Sequence, residues 1–521
     1  MPGWVMAGPR RTALGMALTL AALAGLACNT LLGTPRIYPT AGPRPTTAYT
    51  PFPEGLPGSP TAAPVIGTAA AVFSTLTPEA ATAEAAGATV TPPPASGNYQ
   101  AQSGDTLAAL ALRFRTDIAT LLLANPTLPL TQTIAPGEWL NVPLNTMPAG
   151  AYDTRLLPDA EVVYSPSGAN FDVRGFVQAQ PGFLANYTEV ITNTRPPDPG
   201  WKIVADYARR YALNPRLLLA LLELQSGALS NPDAAPYVRD HALGVDGPSL
   251  APGLSHQLGW AGNQLSYGFY SWQAGAELKF VLADGARREG DGRLNAGSFA
   301  VARLLGLVYK RDGFERVTNG GGLLAAYQRL FGQVPPDEPL IPGGLEQPPM
   351  QLPFEPGRHW GYTGGPHASY GQTQPWGAID FAPPAEQPGC VQSLEWEVAV
   401  RDGVVVLSDE GLVELDVGGG WTVVYLHVAT LDRVPVGTVL KQAERIGHPS
   451  CEGGKATASH LHISRRYNGM WMQADGFAPF ILSGWTVHSL GTAYRGTLTR
   501  GDAIIASCAC GIASTRIWLE P

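Results

Sequence analysis

A chain of 521 residues can hold about three domains at roughly 150 residues each. Its apolar share of 45% is enough to fill several cores, while charged residues reach only 15%, against about 25% in an average soluble protein. The net charge of -8 is spread thinly and no basic stripe could neutralise a phosphate backbone, so nucleic acid is excluded as an expected partner.

Residues 1–28 read as an export signal. "MPGWVMAGPRR" places two arginines before the apolar run "TALGMALTLAALAGLA", which ends in small residues at Cys28. That run is too short to span a bilayer comfortably, since a spanning helix needs about 20 apolar residues. "GLAC" resembles the lipobox of bacterial lipoproteins, whose cysteine is lipidated after cleavage, with Gly25 where that motif usually has leucine. An ordinary cleaved signal with an incidental Cys28 is the alternative. Either way the chain is expected outside the cytoplasm, membrane-anchored in the cell envelope or secreted. Residues 29–97 are Pro, Thr, Ala and Gly with hardly a charge. Such a stretch cannot bury enough apolar area to offset its ordering entropy, and an extended, disordered tether is expected.

Residues 98–144 form the first folded unit. Ser103, Gly104 and Asp105 predict a turn that also caps a helix, with Leu107, Leu110, Ala111 and Phe114 at helical spacing. A second helix, "TDIATLLLANP", ends at Asn125-Pro126, and "EWLNVP" reads as a returning strand. This β-α-α-β run, with its "SGDTL", "LLLANP" and "PGEWLNVP" signatures, resembles a LysM domain. The resemblance implies binding to N-acetylglucosamine polymers, chiefly peptidoglycan or chitin; an unrelated small α+β domain is the alternative.

Residues 195–335 read as mainly helical. "NPRLLLALLELQSGALS" opens with an Asn-Pro helix entry and carries leucines nearly all round, which predicts a buried helix. It faintly resembles the first helix of lysozyme-like transglycosylases, whose catalytic glutamate precedes a Ser-Gly pair. Gln225 stands there instead, and a glutamine cannot act as general acid. Glu223, two residues earlier, is about 200° round the helix. The resemblance therefore implies an inactive, glycan-holding or spacing module, with glycosidase activity from Glu223 as the lesser reading.

A Pro/Gly-rich linker over 336–357 leads to residues 358–483, where short valine-rich runs separated by glycine predict an antiparallel β domain. The extension 484–521 has no assigned role. Beyond Cys28 four cysteines remain, and an even count in an exported chain suggests disulfides. Cys390 with Cys451 is the favoured pair, closing a loop that stabilises by about 4 kcal/mol if unstrained. Cys508 and Cys510, in "CAC", make a poorer pair, because adjacent strand positions strain a bridge.

Within the β domain, "HLH" places His460 and His462 on one face of a strand, with Leu461 on the other. Alone, such a pair is ordinary on a solvated strand. "YLHV" adds His427 at the end of another strand, "AIDFAPP" embeds Asp380 between apolar residues, and "YTGGPHAS" puts His367 after a Gly-Gly-Pro turn. A lone buried carboxylate is costly unless it meets a cation. Two imidazoles, one carboxylate and a water make the open tetrahedral arrangement of catalytic zinc.

The order of "IDFAPP", "GVVV", "YLHV", "VPVGTVL", "IGHPS" and "HLHIS" resembles the lysostaphin-type zinc endopeptidases over about 130 residues. The resemblance implies Zn2+ held by His367, Asp380 and His462, with His460 and His427 acting on the water and the oxyanion. It implies a peptidoglycan hydrolase that cuts amide bonds in cell-wall peptides. The first ligand departs from the pattern: Trp376 stands four residues before Asp380, where the family has histidine, and His367 lies thirteen before it. His359 is the other candidate, whereas His241, His256, His448 and His488 fit no ligand slot. No "HExxH" is present, which excludes a thermolysin-like site. The competing reading is a non-catalytic envelope protein that regulates or recruits amidases, as degenerate relatives combining these domains do.

Overall fold

The computed structural model describes residues 97–520 except 131, 193–194, 247–249, 386–388 and 511–512. The expected export signal, Cys28 and the tether through residue 96 lie outside the described residues.

In the first unit, β1 (Tyr99–Gln100) pairs antiparallel with β2 (Trp139–Leu140), and α1 (Leu107–Arg113) and α2 (Ile118–Ala124) pack against them. Leu107, Leu110, Phe114, Leu121 and Leu140 fill its small core. The helix cap differs from the expectation. Thr106, not the Ser103–Asp105 turn, caps α1 by accepting from the Ala109 N–H. Asp105 is drawn instead to Arg113, with which it forms an ion pair shielded from solvent.

The helical unit contains α3 (Gly200–Tyr211), α4 (Pro215–Ser226), α5 (Leu254–Gln273), α6 (Ala296–Val308) and α7 (Leu323–Phe331). Asn214 caps α4 with its side chain, Pro215 starts it and Gly227 ends it in the left-handed region. Leucines 217, 218, 219, 221 and 222 of α4 are all buried, so tertiary burial, not amphipathicity, holds this helix. Residues from Tyr152 onward pack into the same core.

Nine antiparallel strands build the main β sheet. They include β3 (His359–His367), β4 (Ala378–Ala382), β5 (Gly403–Asp409), β6 (Leu412–Gly418), β7 (Trp421–Leu426), β8 (Val439–Leu440), β9 (Leu461–Tyr467) and β10 (Met470–Trp471). A second sheet joins β11 (Ile481–Leu482), β12 (Trp485–Ser489), β13 (Gly496–Arg500) and β14 (Ala503–Ala506) in sequence order. The last strand, β15 (Arg516–Trp518), returns to pair with β3, giving the main order β8-β5-β6-β7-β9-β4-β3-β15 with β10 on β9. Period-two alternation divides its residues between two cores. Val423, Tyr425, Leu461 and Ile463 face a β core, while Val424 and Leu426 join the core of the helical unit. The helices therefore cover one face of the sheet.

Cys390 is bonded to Cys451 with a Cα separation of 5.7 Å. Cys508 and Cys510 are bonded as well, Cα atoms 5.1 Å apart, against the sequence expectation. β14 ends at Ala506, so the two cysteines lie in a turn beyond the strand, where the chain brings them together.

Candidate metal centre

Register puts the predicted ligands on one face. His462 and Asp380 are direct cross-strand partners on β9 and β4, and His367 opposes Ala378, two residues from Asp380. The "GGPH" segment is not the turn its sequence suggests but the irregular end of β3, with register shifts on both sides of Gly364. Glycine is required there by close approach. A Cβ at Gly364 would strike the Asp380 carboxylate, and one at Gly365 the backbone of Gly496.

Three donor atoms converge. His367 Nε2 lies 3.0 Å from His462 Nδ1, and Asp380 Oδ1 is 3.3 and 3.4 Å from these two nitrogens. The other ring nitrogens face carbonyls: His367 Nδ1 is 2.8 Å from Gly365 O, and His462 Nε2 is 3.1 Å from Ser369 O. A carbonyl only accepts, so each neutral ring carries its proton on that outer nitrogen and turns a lone pair inward. Asp380 Oδ1 is buried and has no hydrogen-bond partner among the described residues. Three acceptors facing one another in a buried site are unfavourable without a cation. Tetrahedral zinc with bonds of 2.0–2.1 Å sets its ligand atoms about 3.3 Å apart, so the donor set and its spacing fit zinc.

In the metal-free protein a proton can supply the missing charge. Burial pushes the His367 imidazole down, but the Asp380 carboxylate outweighs it and holds the group above its ordinary value. Burial raises Asp380, and His367 and His462 more than offset this, keeping it well below the usual carboxylate range. His462 is lowered, chiefly by burial.

His427 and His460 complete the site. His427, just past β7, has a left-handed backbone (φ 73°), a conformation that costs a non-glycine residue on the order of 1–3 kcal/mol. Ser450 holds it there, donating to the His427 carbonyl from both N–H and Oγ at 2.7 Å. Its ring lies 4.5 Å from that of His460, centroid to centroid. His427 Nδ1 faces Glu452 O at 2.8 Å and His460 Nδ1 faces Ala458 O at 2.8 Å, so both turn Nε2 away from those carbonyls. His460 Nε2 is 3.8 Å from Asp380 Oδ1. Burial, reinforced by His460 and His462, pushes His427 down to about 3, so it is neutral at pH 7.

Other candidates are elsewhere. His359 is exposed at the far end of β3 against Trp518, about 26 Å along the strand from His367. Glu223 is buried, accepting from Leu229 N–H at 3.0 Å and pairing with Arg329 at 3.2 Å. Gln225 accepts from the Tyr309 hydroxyl at 2.7 Å. Both side chains are committed to the packing of the helical unit. The sequence did not point to Tyr494. This residue of the extension stacks on His367, with centroids 4.1 Å and planes 20° apart, while its carbonyl accepts from Gly365 N–H at 2.9 Å. Only its place in the fold discloses it, because no local pattern marks it.

Residues 99–143 match the LysM domain, 155–341 the LasA N-terminal domain and 375–474 peptidase family M23. The last match begins eight residues after His367, consistent with the unusual ligand spacing. Protease LasA of Pseudomonas aeruginosa strain PAO1 is 28% identical over 398 residues, covering 68% of this chain and 87% of its own. Protease LasA of strain UCBPP-PA14 is 32% identical over 300 residues, covering 52% of this chain and 67% of its own. The beta-lytic metalloendopeptidase of Achromobacter lyticus is 26% identical over 169 residues, 31% of this chain and 42% of its own. Nothing among these relatives favours the non-catalytic alternative.

Proposed function

Because the chain belongs to peptidase family M23, we propose that this zinc metallopeptidase cuts amide bonds in cell-wall peptides, with His367, Asp380 and His462 holding the metal and His460 and His427 acting beside it. The observation that carries the ligand assignment is the convergence of three inward-facing acceptors at 3.0–3.4 Å. The LysM domain, taken as 98–144, holds the enzyme on peptidoglycan glycan, and the peptidase domain 358–483 is completed by the extension that follows it. The protein acts outside the cytoplasm. Its first 28 residues direct export, and Cys28 is the candidate lipid anchor.

Zinc, when bound, lowers the pKa of a coordinated water from near 16 towards about 7. His460, the more accessible of the two free imidazoles, takes the water's proton at Nε2 and delivers it to the leaving amine. His427 offers a lone pair at Nε2 in its neutral tautomer, so it accepts a hydrogen bond from the attacking water. Asp380 and the two ligand imidazoles are held by register and by the Gly365 and Ser369 carbonyls, so little reorganisation is needed.

Muropeptide digestion by wild type and His460→Ala, each assayed for zinc, tests this assignment. One zinc per chain in both, with new amine termini from wild type and a loss on the order of a hundredfold or more in the variant, is expected. A wild-type protein that takes up no zinc near neutral pH overturns the reading.

A further inference from the structure

Residues 368–376, in the segment joining β3 to β4, begin next to one ligand and serve another: the Ser369 carbonyl accepts from His462 Nε2. Within the segment, Ser369 N–H donates to Pro375 O and Trp376 N–H to Gln374 Oε1, each at 3.2 Å. Its outer part is held by the helical unit. Asn263 of α5 accepts the Gln372 N–H at 2.9 Å through Oδ1 while its Nδ2 donates to the Tyr211 hydroxyl at 3.2 Å. Gly371 has φ 74° and lies so close to Asn263 and Tyr211 that a side chain there would collide with both. Tyr370 meets Tyr211 edge-on at 5.1 Å, and its hydroxyl accepts from Arg210 at 3.1 Å.

Arg210 reaches the other side of the site as well. It pairs at 2.5 Å with Glu410 in the turn between β5 and β6. The carbonyl of the next residue, Gly411, accepts the N–H of Val428, which follows His427. The end of α3 thus ties the segment serving the metal ligands to the turn supporting His427.

We infer that the helical unit is a working part of the metal centre: Arg210, Tyr211 and Asn263 are positioning residues that hold segment 368–376 so that Ser369 keeps His462 turned with Nδ1 inward. This rests on the zinc reading above. Outer-shell partners of metal ligands typically change metal affinity by about 10–100-fold, and this support comes from another domain of the chain.

The experiment uses the full chain, with zinc affinity read by chelator competition and ligand geometry by the visible spectrum of the cobalt-substituted protein. Asn263→Leu should weaken zinc about tenfold and shift the cobalt bands. Asn263→Asp, which keeps the acceptor for Gln372, should stay within about twofold of wild type. Tyr370→Phe loses only the hydrogen bond from Arg210 and should weaken zinc about threefold; it decides the question if Asn263→Leu does not fold. Arg329→Ala, in the same unit but away from the segment, should leave both readouts unchanged. Folded Asn263→Leu or Tyr370→Phe with wild-type affinity and spectrum overturns the inference, as does a variant that gains activity with zinc affinity unchanged. A wild-type chain that binds no zinc instead overturns the functional reading itself.

Discussion

Asp380 and Glu414 are two buried carboxylates on the helix-covered face of the main sheet, and their partners differ. Glu414 pairs with Arg209 and Arg466, each at 2.9 Å, and Arg466 also donates to the Arg209 carbonyl at 2.6 Å. Burial raises Glu414, but the two guanidinium groups outweigh it and hold it below its ordinary value. Asp380 is likewise held low, but by imidazoles that can lose their protons. Guanidinium charge is permanent in water, whereas an imidazole is charged only when protonated. The first arrangement is a fixed joint between domains. The second is a set of acceptors whose balancing charge a proton or a metal ion can supply, which is the difference between structure and site.

Removing the acid from each region should separate them most sharply. Asp380→Asn should abolish stoichiometric zinc and lower peptide hydrolysis by on the order of a thousandfold or more, with little change in metal-free thermal stability, checked by metal analysis and digestion. Glu414→Gln should do the reverse, leaving zinc near one per chain while costing about 3 kcal/mol in denaturant unfolding, because the buried Arg466 and the half-buried Arg209 lose their shared anion. If Glu414→Gln loses zinc as readily as Asp380→Asn, the two regions are not distinct in kind.

The contrast also has a pH signature. With His367 held above its ordinary value, the proton's stabilisation of the metal-free fold is fully present below about pH 6.5 and is lost as pH rises through the folded value. Zinc needs the deprotonated ring, so its affinity should run the other way, falling about tenfold per pH unit below that value for each proton displaced. Chelator competition between pH 5 and 8 measures this. The Glu414 joint should contribute no such dependence over the same range, because its arginines stay charged.

Much of this contrast is legible in the sequence. Period-two spacing is local, so "HLH" and "AIDFAPP" disclose which histidines share a face and which acid is buried. That His367 meets Asp380 and His462 fits the sequence expectation, but its setting was not legible, because Gly364 and Gly365 are small to admit the Asp380 carboxylate and the Gly496 backbone, both tertiary neighbours. Tyr494 reaches His367 from 127 residues away in sequence, and no periodicity encodes that approach. Asp105 shows the same limit on a smaller scale: its spacing suits a helix cap, yet a buried arginine claims it. The charges joining the helical unit to the sheet read as ordinary surface residues until the two faces meet.

A third buried acid extends the comparison to the case with no cation partner among the described residues. Glu397 is fully buried and neither carboxylate oxygen has a hydrogen-bond partner among the described residues. Burial pushes it well above its ordinary value of 4.5, so the folded protein keeps it protonated where the unfolded chain ionises. Its contribution to stability is therefore present below about pH 4.5 and shrinks as pH rises, by about 1.4 kcal/mol per unit until the folded value is reached. Glu397→Gln removes that titration. Between pH 4 and 5.5 the variant should gain about 1.4 kcal/mol relative to wild type in denaturant unfolding, with zinc content unchanged. A parallel pH dependence in the two proteins would mean that Glu397 is ionised in the fold, and a buried carboxylate here would then need a cation partner just as Asp380 and Glu414 do.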